Sequence, residues 1–115
     1  MSVVAYKVFE SKDGDPYFMF YGINGSRRVE LDKTLKCVKK LVRDGTGKRW
    51  YMSGFHVYAD KNVLQQFLKT LKIRKDRYVV EVQAPVITRK HERSKAHLAE
   101  EIVVTGRAWA NRKPI

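Results

Sequence analysis

Hydrophobic and polar positions are organised around Trp50-Tyr51-Met52-Ser53-Gly54-Phe55-His56-Val57-Tyr58 and the segment that follows it. There Phe55 and Val57 fall on one side and His56 and Tyr58 on the other, which is the period of a strand. From Lys61 the period changes. Val63, Leu64, Phe67, Leu68 and Leu71 form one stripe, while Lys61, Gln65, Gln66, Lys69 and Lys72 keep to the opposite side. The spacing predicts a helix over 61–72, with Asp60 as N-cap accepting from the first free N–H groups at the positive end of the helix dipole. Tyr78-Val79-Val80-Glu81-Val82 predicts the clearest strand of the second half.

Elsewhere the pattern is mostly that of strands and tight turns. Val3 to Phe9 predicts a strand with Val4, Tyr6 and Val8 on one face and Val3, Ala5, Lys7 and Phe9 on the other. Asp13-Gly14 is a hairpin signal, so Tyr17-Phe18-Met19-Phe20-Tyr21 should return antiparallel to that strand. Its aromatic density fits a base-stacking platform, but a run without polar interruption fits a buried strand better. Asn24-Gly25 marks the next turn, and Val29 and Leu31 alternate with Arg28 and Glu30.

Residues 32–43 admit two readings. Leu35, Val38, Leu41 and Val42 fit a short helix over about 33–42 with Asp32 as N-cap, which is the preferred one. An irregular strand from Lys36 to Val42 is the other. Val86-Ile87-Thr88 should extend a sheet edge, Arg89 to Lys95 reads as a charged excursion, and Ala96 to Glu100 leads into a last strand, Glu101 to Thr105, ended by Gly106. The expected fold is α+β: a mostly antiparallel, twisted sheet of about five to six strands with one principal helix packed on a face. One domain should span 1–106, and the basic tail 107–115 should be mobile unless Trp109 docks.

Composition supports a folded chain: 43% of its 115 residues are hydrophobic and 11% aromatic. The single Cys37 has no intramolecular partner for a disulfide. The sequence contains no apolar run of membrane-spanning length and no leader pattern at its start, so no membrane contact and a cytoplasmic location are expected.

Charge changes the picture most. There are 24 Lys and Arg against 12 Asp and Glu, a net charge of +12. Residues 26–50 alone carry nine basic and three acidic side chains. A domain that repels itself this strongly points to a polyanionic partner.

Known chemical signatures are mostly missing. Gly45-Thr46-Gly47-Lys48 resembles a phosphate loop, but it is followed by Arg49 and a strand where the motif requires Ser or Thr and a helix. Cys37, His56, His91 and His97 have no metal-ligand spacing, so no metal or cofactor is expected. Cys37 reads as a small buried hydrophobe and not as a nucleophile.

His56 and Tyr58, with Glu100 or Glu101 from the last strand, form a His/Tyr/Glu set. That set resembles the signature of one branch of the ADP-ribosyltransferases, which implies a nicotinamide dinucleotide gripped between two small sheets. A wider resemblance rests on Ala5 to Phe9, Gly54 to Tyr58, Arg77 to Val82 and Ser94 to Val103. These stretches look like an uncharacterised group of small bacteriophage and bacterial proteins in which a Gly-Phe/Trp-His strand precedes a helix and a valine-rich strand. The resemblance implies an architecture and a phage or bacterial origin, and it assigns no activity.

The residues together lead to a small, non-enzymatic protein that binds nucleic acid, RNA or DNA, or another polyanion. Arg27, Arg28, Lys36, Lys39, Lys40, Arg43, Lys48 and Arg49 would supply phosphate contacts, with Arg89, Lys90, Arg93 and Lys95 as a second patch. Two alternatives stand beside it. One is an inhibitor or adaptor docking on an acidic protein surface, with Trp50, Tyr51 or Trp109 exposed among the cations. The other is a nucleotide-processing enzyme using His56, Tyr58 and Glu100 or Glu101.

Overall fold

In the computed structural model, residues 2–19, 28–37, 41–43, 50–71, 76–89 and 95–115 are described. The spine is β1 (Val3–Lys12) paired antiparallel with β7 (Arg77–Ala84), in register from Val3↔Ala84 to Glu10↔Arg77. Both are the valine-rich runs whose alternation predicted strands. Asp13 and Gly14 take positive φ, 53° and 84°, and turn β1 into β2 (Asp15–Phe18), the two-residue hairpin that Asp-Gly favours. On the far side of β7 lie β10 (Glu101–Val103) and then β3 (Thr34–Lys36), giving the order β2-β1-β7-β10-β3. The last strand, β11 (Lys113–Pro114), pairs with Tyr78 and Val79 of β7.

A three-stranded sheet, β6 (Phe55–Val57), β9 (His97–Ala99) and β8 (Thr88–Arg89), continues this arrangement. β9 runs through a bend at Glu100 into β10, and Tyr6 and Tyr58 exchange backbone hydrogen bonds of 2.8 Å, which join β6 to β1. The pairings β1–β7, β7–β10, β9–β6 and β6–β1 therefore close a circuit. Phe9, Val57, Val80, Val82, Ile102 and Val104 fill its interior, all fully buried. Outside, Val8 and Tyr58 form a second cluster with Leu64 of α1 (Lys61–Leu68), and the Tyr58 ring stacks on Phe67 of the same helix at 4.8 Å. The described residues form a mostly antiparallel, strand-dominated domain with two short helices among them, roughly consistent with an α+β fold.

Four local expectations need correction. The helix ends at Leu68 and not at 72, because the Thr70 hydroxyl donates to Phe67 O at 2.7 Å and the last turn tightens to i→i+3 bonds; Lys72 lies outside the described residues. Its N-cap is as expected, Asp60 accepting from the Asn62 N–H.

Residues 33–42 do not form a helix where they are described. Thr34–Lys36 is a sheet edge, and Leu41–Arg43 is a separate strand, β4; residues 38–40 are outside the described set. Asp32, the supposed N-cap, has φ 60° and instead accepts from Gly106 N at 3.0 Å. The long-range pairing with Ile102 outweighs the weak local helical pattern.

The strand expected from Trp50 to Tyr58 breaks at Ser53-Gly54 into β5 (Trp50–Met52) and β6. A Cβ on Gly54 would stand 3.1 Å from Ala99 O and 3.2 Å from Leu98 Cβ, so only glycine lets the chain cross there without displacing β9.

Gly106 does not end a strand but opens α2 (Gly106–Ala110), capped by Thr105 Oγ1 accepting from Ala108 N. Within this tail Trp109 docks, meeting the condition on which its mobility depended. Its indole donates to Gly14 O at 2.9 Å, and the Arg112 guanidinium lies over the Trp109 and Tyr78 rings at 4.4 and 5.0 Å.

Candidate nucleic-acid interface

β4 and β5 form a two-stranded antiparallel ribbon of their own, in the register Leu41↔Met52, Val42↔Tyr51, Arg43↔Trp50. Opposed residues share a face, so Leu41, Arg43, Trp50 and Met52 stand on one side and Val42 and Tyr51 on the other. The inner side is half-buried, and the Tyr51 ring meets the His56 ring edge-on at 6.0 Å. The outer side is open: Leu41 is 57% exposed, Met52 52% and Trp50 59%. Trp50 is thus a broad aromatic surface in solvent, directly across the ribbon from Arg43. An isolated two-stranded ribbon is only marginally stable, and packing of its inner side is what can hold it.

The sequence-predicted cations are distributed over several elements. Arg28 is exposed and bridges β2 through Tyr17. Lys36, on edge strand β3, pairs with Glu101 at 3.6 Å. Arg43 is on the ribbon, Arg89 on edge strand β8, and Lys95 donates to Gln66 on α1 at 3.2 Å. Arg27, Lys39, Lys40, Lys48, Arg49, Lys90 and Arg93 lie outside the described residues.

The His/Tyr/Glu set is placed against three different neighbours. The His56 ring faces Tyr51, the Tyr58 ring stacks on Phe67, and Glu101 pairs with Lys36. Glu100 is exposed at the bend. Burial pushes the Tyr58 phenol up to about 12, so it stays protonated across the physiological range.

Sequence reasoning missed Lys7. It shares the interior-facing side of β1 with Ala5 and Phe9, yet it is charged. Its ammonium donates to His56 O at 2.9 Å and lies 5.8 Å from the Phe18 ring. Burial pulls its pKa down to about 8, against an upward pull from Cys37. Burial also pushes the Cys37 thiol up, opposed by a hydrogen bond from Ser53 and by the charge of Lys7. Cys37 is therefore not an activated nucleophile. The only advance signal for Lys7 was a lysine at an interior position of an alternating strand.

Among the described residues, no group of three or more His, Cys, Asp or Glu is placed to hold a metal ion. Among the same residues, no helix is long and apolar enough to cross a membrane. No protein-family model matches the chain, and no curated protein or solved structure is significantly similar to it.

Proposed function

We propose that the protein is a non-enzymatic nucleic-acid-binding protein that engages a single strand through the outer side of the β4–β5 ribbon. The observation that carries this reading is the exposed Trp50 directly opposite Arg43. An aromatic face stacks on any base, and a guanidinium beside it neutralises the phosphate of the same nucleotide, so the pair recognises a strand with little sequence preference. In the sequence Lys39 and Lys40 precede Leu41, and Lys48 and Arg49 precede Trp50. A two-stranded ribbon is narrow enough to lie along an unstacked strand, and its exposed Leu41 and Met52 offer apolar contact to base faces.

The same two apolar side chains favour a second reading, an adaptor that docks this face on an acidic protein surface. Capture of partners by the full chain, with and without nuclease, separates the two. Retention of nucleic acid released steeply by salt, with no protein left after nuclease, supports the first. A defined protein that survives nuclease, and is lost in the Trp50→Ala variant, supports the second and sinks the first.

A further inference from the structure

On the outer face of the sheet, α1 covers only part of what β1 and β7 present. Val8 and Tyr58 lie under the helix, but Glu81 and Gln83 of β7 are exposed. The side of β7 away from β1 is paired by β10 only at Gln83 and by β11 only at Tyr78 and Val79. The chain between β10 and β11 makes α2, which forms a second wall facing α1. A cleft of about 730 Å³ results, with the sheet as floor. Its volume falls in the usual range for sites that take small organic ligands.

The lining is chemically divided. Lys61 projects from the α1 wall, with its ammonium 5.7 Å from the Tyr6 ring, while Arg107 and Lys113 come from the opposite wall. Three cations therefore face one carboxylate, Glu81, which stands on the floor opposite Tyr6 in the β1–β7 register. Among the described residues no ion pair engages Lys61, Arg107, Lys113 or Glu81. Leu64, Leu68, Val79 and Val103 supply the apolar surface between the charges.

We infer that this cleft binds a nucleoside phosphate, with the phosphate held by Lys61, Arg107 and Lys113 and the base edge donating to Glu81. The cation excess favours an anion, and the apolar span favours a body larger than a bare oxyanion. A carboxylate on the floor accepts from two adjacent N–H groups, which is what the guanine edge presents. The cleft shares no residue with the β4–β5 ribbon, so it is a second site and does not depend on the ribbon's function.

The test is calorimetric titration of the full chain with guanosine monophosphate, guanosine and inorganic phosphate. Guanosine monophosphate should bind saturably at one site, at least tenfold more tightly than either fragment. Arg107→Glu with Lys113→Glu should weaken it at least tenfold. Glu81→Leu should weaken guanosine monophosphate while leaving inorganic phosphate unchanged or tighter, a split that simple unfolding does not produce. Nucleotide binding that is lost in Trp50→Ala but kept in the double charge reversal would place the ligand on the ribbon and overturn the inference, which keeps a failure here distinct from a failure of the ribbon. The absence of saturable binding, indifference to the double charge reversal, or inorganic phosphate binding as tightly as the nucleotide would each overturn the inference.

Discussion

Lys7 on β1 donates its ammonium to the main-chain carbonyl of His56 on β6 at 2.9 Å, next to the backbone bridge at Tyr6 and Tyr58 that closes the strand circuit. The same burial that makes this tie possible penalises the charge, pulling the Lys7 pKa from 10.5 to about 8. Between pH 8 and 9 the unfolded chain keeps the proton that the folded one releases. Stability therefore rises with pH across that window, by about 1 kcal/mol. Tyr58 and Cys37, whose pKa values are raised in the fold, act in the opposite sense: Cys37, ordinarily at 9.0, offsets a smaller part of the rise as pH approaches 9, and Tyr58, ordinarily at 10.0, acts chiefly above the window. Urea unfolding of the wild type should thus show a rise from pH 8 to 9 that is missing in Lys7→Met. At pH 7 the variant removes a partly desolvated cation but also the donor to His56 O, so the pH slope and not the absolute stability is the readout.

Gly54 separates the ribbon from the barrel-like core. Gly54→Ala should destabilise the protein by about 1–2 kcal/mol, because the atoms its Cβ meets, Ala99 O and Leu98 Cβ, belong to a paired strand and have little room to move. A chemical-denaturation midpoint equal to or above that of the wild type would contradict this account of the crossing.

Asp32 and Gly106 are 74 residues apart in sequence, yet the carboxylate satisfies the first N–H of α2. Asp32→Ala should cost about 1 kcal/mol, the usual cost of a lost cap, and Thr105→Ala a similar amount through Ala108 N. Asp32→Asn retains an acceptor and tolerates the positive φ, so most of the loss should be recovered in it.

Trp109→Ala removes the anchor of the tail, including its hydrogen bond to Gly14 O and its contact with Arg112. The expected loss is about 3–5 kcal/mol, the range for a large buried aromatic. Hydrogen exchange should show early opening of β11 and its neighbours on β7 in this variant, and protection equal to the wild type would contradict docking.

These residues also separate what was legible in the sequence from what was not. The Asp-Gly hairpin, the valine-rich β1 and β7, the Asp60 cap and the amphipathic stripe of α1 are local signals that the fold uses, the helix stopping at Leu68, short of the stripe's end. Asp32 was misread because its partner is supplied by a distant turn, and a cap residue looks the same whichever helix it serves. Residues 34–36 were misread because strand pairing with β10 outweighs a local helical spacing. Trp50 was visible as an aromatic among cations, but only the register with Arg43 puts the two on one exposed face. Lys7 and the cleft depend on how sheet faces are covered, which no periodicity encodes.

The measurement that tests the central claim most directly is the intrinsic fluorescence of the full chain titrated with a single-stranded oligonucleotide at two salt concentrations. Of the two tryptophans, Trp50 is 59% exposed and Trp109 only 6%. Stacking on a base should quench the exposed indole and leave the buried one unchanged. The account predicts saturable quenching that weakens steeply with salt, and a loss of affinity of at least tenfold in Trp50→Ala and in Arg43→Glu, read by anisotropy of a labelled strand. Binding that leaves Trp50 emission unchanged, or that survives both substitutions, would contradict it.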